Sequence, residues 1–174
     1  GPGGDAFANA TGTNLGQAVG ASGWHYNNVR NSGVAGINGT YARNGNGSAY
    51  LETQIGPGGN SSKADIELLA AGTSVLGNFY AASSLGRLGD LTSLGYEWYR
   101  DSVSTNSALQ HPVIRVLIDA DGDLSTTNDR GGLVFEQAYN GSVVPTDTWV
   151  SEDVFAYNGG QGANVWNFGL GLGF

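Results

Sequence analysis

The stretch "DADGDLSTTNDRGG", Asp119 to Gly132, carries four of the chain's fifteen acidic residues within eleven positions: Asp119, Asp121, Asp123 and Asp129. Carboxylates at alternate positions of a tight loop can be aimed at one point. Calcium takes six to eight oxygens at about 2.3–2.6 Å, drawn from carboxylates, carbonyls and water. Ser125 and Thr127 continue the alternation with hydroxyl oxygens, and Asp129 adds a fourth carboxylate. Crowded carboxylates repel one another when no cation lies between them. The candidate metal ligands are therefore Asp119, Asp121, Asp123, Ser125 and Asp129, and the candidate ion is Ca2+. Magnesium suits the loop less well, because its strict octahedron favours phosphate partners that nothing in the sequence announces. The loop is not an EF-hand: Gly122 stands at position 4 instead of 6, and Arg130 stands at position 12, where a bidentate Glu belongs. A solvated turn between two strands explains the same composition more plainly.

Other chemistry is sparse. Glycoside hydrolysis needs two carboxylates roughly 5–9.5 Å apart across a cleft. Glu97 and Glu136 sit on neighbouring candidate strands beside Tyr99 and Arg115. These four form a candidate glycan face, and an ion pair from Arg115 to either Glu accounts for them as well. The only histidines, His25 and His111, are far apart in sequence, and His111 reads as a loop residue before Pro112. No G-x-S-x-G elbow and no phosphate-cradling glycine motif occur. The absence of cysteine excludes disulfides and a thiol nucleophile. The chain is expected not to be an enzyme. Tyr99 and other tyrosines are available for stacking on sugars, whereas Trp98, Trp149 and Trp166 fall in alternating strands and are expected in the core.

The elements that must hold these residues are strands. Thirty glycines, much Asn, Ser and Thr, and a single lysine (Lys63) disfavour helices. Alternating or apolar runs appear at 23–29, 48–55, 63–70, 75–82, 94–102, 112–119, 131–141, 147–157 and 163–174. Residues 30–48, rich in Asn-Gly signals, read as a loop. "PVIRVLID" and "GGLVFEQAYNG" are expected to pair through the acidic turn. The fold class is all-β, a jelly-roll β-sandwich of two antiparallel sheets over residues 23–174. Residues 1–22 read as a glycine-rich N-terminal segment and candidate assembly arm.

A net charge of −8 and a pI near 4.4 leave no basic footprint for nucleic acid and disfavour anionic membranes. No apolar run reaches about 18 residues, so no membrane insertion is expected. A chain beginning "GPGGDAF" is expected to have lost a leader or to carry a tag remnant. The last residues alternate bulk with glycine: Phe168, Leu170, Leu172 and Phe174. Such a one-faced strand can complete its own sheet or that of a neighbouring subunit.

The order "SKADIELL", "LGDLTSLGYEWYRDS", "PVIRVLIDADGD", "GGLVFEQAYNG", "VPTDTWVSEDV" resembles a group of secreted bacterial β-sandwich domains, many ending in a PEP-CTERM sorting segment. The likeness covers a little over half the chain. It implies secretion and an extracellular, cell-surface location, and it implies no catalytic residues. The sequence reaches "GLGLGF" with no sorting segment, and membrane sorting is not among the expectations. The expected function is that of an extracellular structural protein: a self-assembling subunit of a surface filament, tube or matrix, stabilised by calcium. The alternative is a carbohydrate-binding module holding extracellular polysaccharide.

Overall fold

The computed structural model describes residues 17–54, 62–70, 83–141, 143–157 and 162–169. The described residues are all-β: ten strands and two short 3-10 turns, every strand pair antiparallel. No described helix is long and apolar enough to cross a membrane. The chain divides into two compact units, Gly1–Leu85 and Gly86–Phe174.

In the first unit, β1 (Gln17–Ala18), β2 (Trp24–Arg30) and β5 (Lys63–Leu68) form one sheet with β2 in the centre. Strands β3 (Val34–Asn38) and β4 (Ser48–Glu52) form a hairpin. Val19, Tyr26, Val29 and Ala35 are buried together, with Ile37, Ala64 and Ile66 packed against them. The alternation of "KADIEL" supplies this face, since Ala64 and Ile66 point to the core as period two requires. β1 falls within the segment 1–22. Strand β3 corrects the reading of 30–48 as a loop. Its residues are small and weakly apolar, and the Asn-Gly signals mark the tip of a hairpin whose arms begin at Asn38 and Ser48. The candidate strand 75–82 lies outside the described residues.

The second unit carries the acidic loop. Strands β7 (Ile114–Asp119), β8 (Arg130–Phe135) and β10 (Val165–Gly169) form a sheet with β8 in the centre. Strands β6 (Gly95–Tyr99) and β9 (Trp149–Asp153) pair separately. The expected β7–β8 hairpin is present, in register from Ile114 opposite Phe135 to Asp119 opposite Arg130. Trp98, Val134 and Phe135 are almost fully buried. Gly132 is needed where β10 crosses: a Cβ there would come within 2.8 Å of the Phe168 ring. Trp98 takes the core place expected of it, whereas Trp166 on β10 is 37% exposed.

Candidate metal centre

Strands β7 and β8 end opposite each other at Asp119 and Arg130, and this pair closes the mouth of the loop. Arg130 Nε donates to Asp119 Oδ2 at 3.1 Å, and both side chains are only 7% exposed. The same guanidinium reaches across the loop and donates through Nη2 to the Leu124 carbonyl. Arg130 thus stands as an internal counter-cation, a role that position 12 of an EF-hand does not allow.

The loop backbone then folds around its own carboxylates. Gly122 N–H donates to Asp119 Oδ1 at 3.0 Å, and Asp123 N–H to Asp121 Oδ1 at 2.7 Å. Asp121 N–H donates to Asp129 Oδ2 at 2.8 Å, which ties the end of the loop back to its beginning. Gly122 has φ +80°, a left-handed conformation that glycine adopts without strain.

Three of the five candidate ligands come together. Asp119, Asp121 and Asp129 each offer a carboxylate oxygen within 4.8 Å of the others. Oxygens about 2.3–2.6 Å from one calcium can be no more than about 4.6–5.2 Å apart, so this spacing suits a shared ion. Three carboxylates against one guanidinium leave a formal charge of −2. One divalent cation would neutralise it. Asp129 Oδ1 is buried with no hydrogen-bond partner, and a buried carboxylate oxygen without a donor is costly.

Asp123 is not among these three, and Ser125 is bonded to it. The Ser125 hydroxyl donates to Asp123 Oδ1 at 2.6 Å and its N–H to the same oxygen at 3.0 Å. These two bonds hold the Asp123 carboxyl below its ordinary range. Asp123 therefore caps the turn after it. Spacing alone could not separate it from Asp121, because both sit at alternate positions and differ only in where the backbone turns.

The candidate glycan face is drawn from two sheets. Glu97 and Tyr99 lie on β6, Arg115 on β7, and Glu136 between β8 and the 3-10 turn Gln137–Asn140. Glu136 Oε1 accepts a hydrogen bond from Trp166 Nε1 at 3.1 Å. Tyr99 meets Trp149 across the β6–β9 pair, with ring centroids 5.8 Å apart. Of the candidate assembly strand, Phe168 lies in β10; Leu170, Leu172 and Phe174 lie outside the described residues.

A second polar cluster escaped the sequence reading. Glu152 on β9 is only 5% exposed and accepts from Trp98 Nε1 at 3.2 Å. The Tyr157 hydroxyl also bonds Glu152, and burial together with that carboxylate pushes Tyr157 up to about 12. The His111 ring lies 4.7 Å from Trp98, tilted by 34°. One signal was available: in "WVSEDV" the inward phase runs Val150, Glu152, Val154, which places a carboxylate where a core side chain belongs.

Comparison with protein-family models, with curated proteins and with solved structures finds no match to this chain. The fold and the loop define its class only as an all-β protein with a carboxylate-rich hairpin turn.

Proposed function

We propose that this is a secreted structural protein whose acidic hairpin turn is a calcium site. The observation that carries the reading is the Asp119, Asp121 and Asp129 triad, which keeps a formal charge of −2 after Arg130 is counted and contains a buried carboxylate oxygen without a donor. The ion would rigidify the β7–β8 turn. A jelly-roll β-sandwich is the arrangement proposed for the strands, and their uniformly antiparallel pairing supports it. Extracellular location rests on the acidic, cysteine-free composition and on the resemblance to secreted surface domains.

The proposed role is that of a building block of a surface filament, tube or matrix. Among the described residues β10 lies at the edge of its sheet, and an edge strand can be exchanged for the same strand of a neighbour. Electron microscopy of the purified protein in calcium should show ordered polymers, and deletion of residues 165–174 should abolish them. Polymers that persist after that deletion and after deletion of residues 1–12 would rule out strand exchange. A second reading, binding of polysaccharide, is favoured by the Tyr99–Trp149 pair beside Glu97 and Ser151 on one face of the β6–β9 pair. On that reading the protein stays monomeric and loses glycan on Tyr99→Ala.

A further inference from the structure

His111 joins the buried polar cluster of the second unit to β10. Its Nε2 accepts the backbone N–H of Gln137 at 2.9 Å. Gln137 opens the 3-10 turn Gln137–Asn140. Asn140, at the end of that turn, is clamped to Asn164 just ahead of β10. Asn164 N–H donates to Asn140 Oδ1 at 2.7 Å, and Asn140 Nδ2 donates to the Asn164 carbonyl at 3.0 Å. Asn164 Nδ2 also donates to the Tyr139 carbonyl at 3.3 Å. A chain of hydrogen bonds therefore runs from one imidazole nitrogen to the entrance of the edge strand.

We propose that His111 is a pH-sensitive latch on β10: protonation of its Nε2 removes the acceptor that holds Gln137–Asn140, and loss of that turn releases Val165–Gly169 from β8. If the protein assembles by strand exchange, as proposed for its function, the uncovered edge of β8 would accept β10 of a second copy of this chain. That last step alone rests on the assembly reading.

The chemistry is one-sided. An imidazole that accepts at Nε2 must be neutral and carry its proton on Nδ1. The imidazolium has two donors, so it would set N–H against the Gln137 N–H. Nδ1 is itself buried and makes no well-formed hydrogen bond. The charged groups that act on the ring are Glu136, just after β8, and Glu152 on β9; nearby in the cluster, the Tyr96 hydroxyl donates to the Pro112 carbonyl and Tyr157 bonds Glu152. Both tyrosines are held above their ordinary range, so they stay neutral throughout the relevant window. The turn meets the ring through the Gln137 backbone N–H, while its Gln137 side chain bonds Tyr157 and its Asn140 side chain makes the clamp to Asn164. Burial holds the His111 pKa below its ordinary 6.5, against the opposing pull of the Pro112 backbone, Glu136 and Glu152.

The sign is set by linkage. A released His111 has the ordinary pKa and binds protons more readily than the latched one. Opening is therefore favoured progressively as pH falls below about 6.5, by up to about tenfold per pH unit, and levels off below the latched pKa. At neutral pH the latch is closed.

Native-state hydrogen exchange between pH 7.5 and 5, corrected for intrinsic rates, reads this directly. In the wild-type chain the opening constant of the β10 amides should rise up to about tenfold per pH unit below about 6.5, together with that of the Gln137–Asn140 amides. His111→Gln keeps an oxygen acceptor at every pH and should abolish the dependence. Asn140→Ala should leave it in the turn and remove it from β10. A flat profile in the wild type, or an equal slope in His111→Gln, overturns the latch. Should His111→Gln fail to fold, the 15N shifts of the wild-type ring decide: a proton on Nε2 at neutral pH overturns it as well. Electron microscopy at pH 5.5 separates the two proposals. Release of β10 without polymers sinks the assembly and leaves the latch; polymers without pH-dependent release do the reverse.

Discussion

Trp98→Ala is expected to destabilise the second unit by about 3–5 kcal/mol, the range for truncating a large buried aromatic. Trp98 is 2% exposed and is among the largest side chains that this structure buries fully. Its loss removes apolar burial and also strands a charge. Glu152 accepts from Trp98 Nε1, and with that donor gone a buried carboxylate keeps fewer partners. The His111 ring loses the surface on which it lies. Native domains are stable by about 5–15 kcal/mol, so the change takes a large fraction of the total. Urea unfolding followed by circular dichroism should show a midpoint lowered to match. Trp98→Phe, which keeps most of the apolar volume and drops the N–H, should cost less. If Trp98→Ala shifted the midpoint no more than a surface substitution, the packing assigned to β6 and β9 would be wrong.

Arg130→Ala is the second large effect. Asp119 and Arg130 are both nearly buried, and breaking one side of a buried ion pair typically costs about 3–5 kcal/mol because the other charge is left uncompensated. The substitution also releases the Leu124 carbonyl. Its particular value is that it takes the formal charge of the site from −2 to −3. The loss measured in chelator should therefore be the larger one, and millimolar calcium should restore part of it. Thermal melts of wild type and Arg130→Ala, each with calcium and with chelator, supply the comparison. An equal loss in both conditions would show that arginine and ion do not share the same carboxylates.

The parts legible in the sequence are those governed by local period and turn chemistry. "PVIRVLID" and "GGLVFEQAY" are apolar runs flanking a cluster of turn formers, and they pair as read. "KADIEL" alternates and presents Ala64 and Ile66 to the core. β3 was not legible because "VAGIN" has too little bulk to outweigh the Asn-Gly signals beside it, and its pairing to β4 is what makes it a strand. In the loop, spacing drew attention to Asp119, Asp121 and Asp129, which the fold does bring together. It could not show that Arg130 turns inward to pair with Asp119, nor that Ser125 claims the Asp123 carboxylate. The cluster of Trp98, His111 and Glu152 joins residues up to 54 positions apart, and no local pattern reports such a contact. His111 read as a loop residue because the Gln137 backbone that uses it lies 26 positions away.

Binding of calcium by Asp119, Asp121 and Asp129 is tested most directly by the thermal midpoint in calcium and in chelator. An ion present at a hundred times its dissociation constant stabilises by about 2.7 kcal/mol, which for a unit of this size amounts to an upward shift on the order of 10 °C. The shift should vanish in Asp129→Asn, which keeps the shape of the loop and removes one ligand charge. Identical midpoints for the wild-type chain in millimolar calcium and in chelator would contradict the metal site and leave the loop as a turn closed by Arg130 alone.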